Sequence, residues 1–197
     1  MLTDLQIQEH WKNYAIFCRD TINDTEKAKN VLQRATAIIY LDPRCKALWE
    51  MLIDLETEDG NHSAVGNLYS QVLTIPVTYV EDMLKRFKQW ASTDARVPED
   101  VCPDNNDKLI DAKGEVDADE NYTEKTEDEK EKAVVQKLIT AKEEMAQDAI
   151  SAAERRKKFE ALISKRTYYH VNPLDGTVLS AWHDYLDSEE SEGNPVS

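Results

Sequence analysis

Glycine and proline are scarce in this 197-residue chain, at 5 and 6 residues. That leaves little of the turn chemistry a many-stranded sheet requires, and it favours long helices with few connections. Cysteine is scarce too: Cys18, Cys45 and Cys102 are odd in number, widely spaced and without a Cys-x-x-Cys pair. Neither a disulfide framework nor a zinc knuckle is indicated, and a reducing compartment is expected. The first residues, MLTDLQIQEHWKNY, have no basic start and no apolar run of the signal-peptide kind, and no segment approaches about 20 uninterrupted apolar residues. A soluble, intracellular chain with no membrane partner is the expectation. Basic residues are outnumbered, 24 Lys and Arg against 39 Asp and Glu, for a formal charge of −15. This excludes a general nucleic-acid-coating surface, because phosphate binding needs clustered cations. Gly-x-Ser-x-Gly and P-loop signatures are also absent.

What the chain does have is unevenly spread. From Glu99 to Glu131 there are 14 acidic residues against 4 lysines, with few apolar side chains to offset the entropy of ordering. The expectation is an acidic flexible linker over residues 93–131. It separates a helical block at 1–92 from a second block at 132–197.

In the first block, Asp42-Pro43 reads as an N-cap with proline at the first helical position, and Gly60 sits where a left-handed C-cap ends a helix. The spacing of Thr78 and Glu81 is that of a capping box. Ala28, Val31, Leu32, Ala35, Ile38 and Ile39 recur at three- and four-residue intervals, as do Leu68, Tyr69, Val72 and Leu73, which predicts two amphipathic helices. No strand is expected.

The helices repeat. Asn30-Val31-Leu32 matches Asn67-Leu68-Tyr69 at an offset of 37, and Trp11, Tyr14 and Phe17 match Trp49, Leu52 and Leu55 at an offset of 38. The pattern returns at Trp182, Tyr185 and Ser188, with Glu189 in the place of Glu56. Such a period is the mark of a helical solenoid, whose hairpins bury their apolar faces only by stacking. In the second block, Val135, Leu138, Met145, Ala149, Ala152, Phe159 and Ile163 form a roughly heptad stripe interrupted by Lys142 and Arg156. A helix from Lys132 to Lys165 would run about 50 Å. Its C-terminal end is basic, with six cations against two acids from Glu154 to Arg166, which suits the negative end of the helix dipole.

The repeat pattern resembles the half-a-tetratricopeptide (HAT) repeats of RNA-processing scaffolds. The stretch RRKKFEALISKRTYYHVNPLDGTVLSAWHDYLD, Arg155 to Asp187, is similar to a segment of the pre-mRNA-processing factor 39 family. There an R-R-x-F-E-x-x-I block leads into R-P-Y-F-H-V-x-P-L-D and a W-x-x-Y-L helix. Arg155, Arg156, Phe159, Glu160 and Ile163 fill the first block. Arg166, Tyr168, His170, Val171, Pro173, Leu174, Asp175, Trp182, Tyr185 and Leu186 fill the rest. Thr167, Tyr169 and Ser188 depart from the pattern.

The resemblance implies an all-α HAT/TPR-like solenoid with one long helix after the acidic linker, then a proline joint and the first helix of a further repeat. It implies a nuclear, noncatalytic scaffold in pre-mRNA splicing, without a cofactor or metal. Its partners would be proteins of the U1 small nuclear ribonucleoprotein at the 5′ splice site, with RNA contact indirect or weak. Family members dimerise through C-terminal HAT repeats, so a homodimer or a heterodimer with a related HAT protein is a further implication. Members are several times longer than this chain, which is therefore expected to be a fragment or short form lacking those C-terminal repeats.

Alternatives stay open. Another HAT scaffold, of the 3′-end cleavage or crooked-neck type, shares the repeat. A direct RNA binder would use Arg155, Arg156, Lys157, Lys158 and Arg166, which could equally contact an acidic protein or form a solvated face. Trp11, Tyr14, Phe17, Trp49, Leu52, Tyr168, Tyr169, Pro173, Trp182 and Tyr185 are expected to be structural repeat positions, although the aromatic joint could also stack on unpaired bases. His170 and His183 lack the oriented partner of a general base and the three or four ligands of zinc.

Overall fold

The computed structural model describes residues 4–93, 97–103, 106–118, 126–163 and 175–191, and all regular structure among them is helical. Helix α1 (Asp4–Asp20) turns through Asn23 into α2 (Thr25–Ile38). Asn23 has φ of 57°, a left-handed conformation that asparagine tolerates better than most residues. Asp24 then caps α2 by accepting from the Lys27 backbone N–H at 2.8 Å, which satisfies one of the free amides of the first turn. Ala28, Val31, Leu32 and Ala35 are buried, so the expected stripe is the packed face. Ile38, which extends that stripe in sequence, is exposed.

Asp42 accepts from the Arg44 backbone N–H at 2.9 Å, as an N-cap should. The turn it caps is a 3₁₀ helix, Pro43–Cys45, and α3 proper spans Lys46–Glu58. Gly60 ends the helix at φ of 71°, where a Cβ would be strained. Helix α4 (His62–Val72) is capped by Asn61 through the Ala64 N–H. The capping box predicted at Thr78 does not form. Thr78 is exposed, the N-cap is Tyr79, and no side chain bonds the first turn of α5 (Val80–Ala91). Burial of Tyr79 and Val80 moves the helix start one residue on, out of register for the Thr78–Glu81 exchange.

Successive helices pack on one another from α1 to α5, and α1 also lies against α3. Stacking of the first helices of consecutive hairpins is the geometry of a solenoid. Two expected core positions fail: Tyr14 is 45% and Phe17 is 48% exposed. The face α1 turns inward instead carries half-buried Trp11 with Ala15 and Cys18. Leu52 and Leu55 at the matching positions of α3 are buried, because α3 packs against α1, α2 and α4. Among the described residues α1 has α2 and α3 alone as substantial neighbours.

The acidic interval is not simply a linker. It holds α6 (Pro98–Val101) and α7 (Asn106–Ala118), with Val101, Cys102, Leu109, Ala112 and Val116 buried in the same core as the repeats. Leu109, Ala112 and Val116 are spaced three and four apart, one helical face hidden among the carboxylates. Helix α6 crosses α4 so closely that a methyl group on Gly66 would overlap the Asp100 carbonyl.

Helix α8 (Glu127–Ile163) begins five residues before the expected start. Packing divides the chain into Met1–Ile150 and Ser151–Ser197, a boundary inside α8 and not at the edges of the acidic interval. Within the first unit α8 buries Val134, Val135, Leu138, Ile139, Ala146 and Ala149. Lys142, which breaks the apolar stripe in sequence, is also buried and donates to the Ser70 hydroxyl of α4 at 2.6 Å. Ser70 in turn donates to the Gly66 carbonyl at 2.8 Å. The second unit contains the end of α8 and α9 (Gly176–Ser191).

Candidate functional site

The chemistry expected of the second unit centres on its basic helix end and its aromatic residues. Arg156 is held by Glu189 of α9 in a two-pronged contact, Nε to Oε1 at 2.9 Å and Nη2 to Oε2 at 3.1 Å. Glu189 is only 11% exposed, so the guanidinium joins α8 to α9. Arg155, Lys157 and Lys158 are exposed on the same helix. Arg166 lies outside the described residues, as do Tyr168, Tyr169, His170 and Pro173.

Phe159 stacks on Tyr185 at 5.3 Å between ring centroids and 20° between planes, and Tyr185 meets Trp182 at 6.3 Å. The space left between Phe159, Tyr185 and the Arg156–Glu189 pair is about 10 Å³, room for one water at most. Tyr185 therefore packs between α9 and α8, with half-buried Trp182 against it on the same helix. His183 is exposed.

The first unit holds a corresponding charged clamp. Lys29 of α2 is buried, and its Nζ donates to Glu56 Oε2 of α3 at 3.0 Å. Asp59 at 2.5 Å and Glu26 at 3.3 Å complete the cage, and Asn61 Nδ2 donates to the same Glu56 oxygen at 3.2 Å. Burial alone would depress the lysine pKa, but the bonds to Asp59, Glu56 and Glu26 outweigh it and hold the ammonium above its ordinary value. Glu56 stands seven residues after Trp49, and Glu189 seven after Trp182. In both helices a glutamate about two turns beyond the tryptophan captures a cation of the preceding helix. The sequence repeat marked the glutamates; the partners Lys29 and Arg156 were not recognised, because a cation 27 or 33 residues away has no fixed offset.

Trp49 is 3% exposed and Leu52 fully buried. Tyr79 lies against Trp49 and Cys45, and its phenol is raised well above the usual range, first by burial and then by the charge of the neighbouring groups. Burial pushes the Cys45 thiol up to about 12, with Asp42 adding to it. Tyr69, also raised to about 12 by burial, packs on Phe87 at 5.4 Å and Trp90 at 5.6 Å. These rings and thiols are interior, held neutral, and unsuited to proton transfer near neutral pH.

Among the described residues no cluster of three or more His, Cys, Asp or Glu is placed to hold a metal ion, and no helix is long and apolar enough to cross a membrane. A groove of about 400 Å³ lies between α7 and α8.

Comparison with known proteins finds two matching segments. The PRP39 N-terminal HAT repeat matches residues 4–89, and the PRP39 C-terminal HAT repeat matches residues 154–197. Together they span about two thirds of the chain. The second match includes the Arg155–Asp187 stretch that carries the family resemblance in the sequence. Among curated relatives, pre-mRNA-processing factor 39 of Xenopus laevis is 28% identical over 93% of this chain and 31% of its own length. The Homo sapiens protein of that name is 27% identical over 93% and 30%, and the Schizosaccharomyces pombe protein 24% over 93% and 31%. The chain spans under a third of the length of these relatives.

Proposed function

The chain belongs to the pre-mRNA-processing factor 39 family of HAT-repeat proteins, and on that premise we propose that it acts as a noncatalytic nuclear scaffold in pre-mRNA splicing. Its partners on this reading are proteins of the U1 small nuclear ribonucleoprotein at the 5′ splice site. The observation that carries the reading is the commitment of the aromatic and buried charged residues to joints between helices. Trp49 and Tyr69 sit in the core, Phe159 stacks on Tyr185, and Lys29 and Arg156 are each clamped by a glutamate. Function then falls to the outer surface of the stack, which presents protein-binding faces. The surplus of carboxylates favours protein partners over a phosphate backbone.

Affinity capture of the tagged chain from nuclear extract, with and without ribonuclease, tests this. Proteins of the 5′ splice-site particle should co-purify and survive nuclease treatment. Capture of 3′-end cleavage factors in their place would move the chain to another class of HAT scaffold. Recovery that depends wholly on RNA, and is lost when Arg155, Lys157 and Lys158 are neutralised, would make it an RNA-binding module.

A further inference from the structure

The groove between α7 and α8 has a construction that the scaffold reading does not explain. Its floor is apolar: Leu138 and Ala112 lie buried beneath half-covered Ala141 and Met145. Its two walls are acidic. Asp111 and Glu115 stand four apart on α7, and Glu144 and Asp148 stand four apart on α8. Residues four apart on a helix lie one above the other on the same face, so each wall is a short ridge of carboxylates, all exposed. Lys137, the one cation among the described residues lining the groove, is engaged by Glu115 at 2.8 Å, which leaves three carboxylates to one side of the balance. At about 400 Å³ the space falls in the range of sites that enclose a small group of side chains.

We propose that this groove is a docking site for a basic amphipathic helix of a partner protein. One or two large aliphatic side chains would enter over Ala141 and Met145, and Lys or Arg residues flanking them would meet Asp111, Glu144 and Asp148. Charge complementarity selects this occupant. An acidic or phosphorylated segment would place like charges against both walls, and RNA would be repelled in the same way. A neutral apolar helix would gain the floor but leave the carboxylates unanswered. The i,i+4 spacing on each wall matches cations at i,i+4 on a helix lying along the groove. The inference does not depend on which particle the chain joins.

The test is a fluorescence-anisotropy titration of the full chain with a labelled synthetic helix-forming peptide carrying leucines flanked by lysines at i,i+4. Comparison probes are its Lys→Glu counterpart, its Leu→Ser counterpart and a single-stranded RNA oligonucleotide of equal length. The lysine–leucine peptide should bind, weaken as salt is raised, and lose about tenfold or more in affinity when Glu144→Lys and Asp148→Lys are combined. Met145→Lys, which places a cation on the floor, should weaken it to a similar degree. Circular dichroism melts should be close to wild type, since the carboxylates are solvent-facing. Equal binding of the Leu→Ser peptide, indifference to both sets of variants, or preference for the RNA or the glutamate peptide would each overturn the proposal.

Discussion

Lys29 and Glu56 meet at 3.0 Å between α2 and α3 with each side chain only 6% exposed, a buried ion pair joining the two hairpins of the first unit. Removing one partner strands the other charge away from water. Lys29→Met should therefore cost about 3–5 kcal/mol, measured by urea denaturation. The double variant Lys29→Met, Glu56→Met should recover most of that loss, since no buried charge is left uncompensated and the lysine's other partners, Asp59 and Glu26, reach solvent. Because the lysine pKa is raised in the folded state, its contribution is complete below the ordinary value of 10.5 and declines only as pH climbs through the higher folded value. Stability near neutral pH should not depend on this group's titration, and a thermal-melt series should show its loss only in strong alkali.

Arg156 makes its contact with Glu189 through two nitrogens, a geometry that lysine cannot copy. Arg156→Lys should destabilise the second unit by about 1–2 kcal/mol, and Arg156→Ala by no less. Near-ultraviolet circular dichroism reports the change through Tyr185, which lies beside the pair, and Trp182, which meets Tyr185. A signal identical to wild type in Arg156→Ala would show that the clamp does not hold α9.

At Gly66 the cost is steric. A methyl group there meets the Asp100 carbonyl, backbone that can yield only if α6 moves. Gly66→Ala should lose about 1–3 kcal/mol despite replacing a glycine inside a helix, a change that elsewhere stabilises by up to about 1 kcal/mol. The sign of the change in melting temperature decides the matter.

Positions alike in sequence should differ in consequence. Trp49→Ala removes an enclosed indole and should cost about 3–5 kcal/mol. Phe17→Ala removes a ring that is nearly half in solvent and should stay within about 1 kcal/mol. Equal losses in paired denaturation curves would mean that α1 buries its aromatic stripe after all.

Cys45 is fully buried and its thiol is raised to about 12, so the reactive thiolate is scarce at ordinary pH. Ellman's reagent at pH 8 should leave it unmodified in the folded chain, while all three cysteines should react once denaturant is added. Rapid native labelling assigned to Cys45 by peptide mapping would contradict its burial.

Much of the fold was legible because its signals are local. The Asp42 cap, the Gly60 stop, the α2 and α4 stripes and the repeated tryptophans each lie within a few residues of what they determine. Where the reading failed, the deciding partner was distant. Tyr14 and Leu52 have equivalent positions in the repeat, and only the number of neighbouring helices separates an exposed ring from a buried side chain. The Thr78 capping box was displaced by burial of Tyr79. Leu109, Ala112 and Val116 were hidden by the acidic composition around them, although their spacing is helical. Arg156 looked like a free cation because Glu189 lies 33 residues ahead in another helix. The basic helix end was visible as a charged run, but which of its members is spoken for depends on tertiary contact.

Lys142 has a consequence for how α8 seats. The buried residues around it on α8, Leu138, Ile139, Ala146 and Ala149 among them, are apolar, and such non-directional contacts oppose a slide of one turn less sharply than a polar bond does. The ammonium at Ser70 forbids it. A shift of four residues would bring Leu138 or Ala146 opposite the hydroxyl and drag the charge into apolar surroundings. The residue that spoils the greasy stripe thus works as an axial pin, indexing the helix to one longitudinal position.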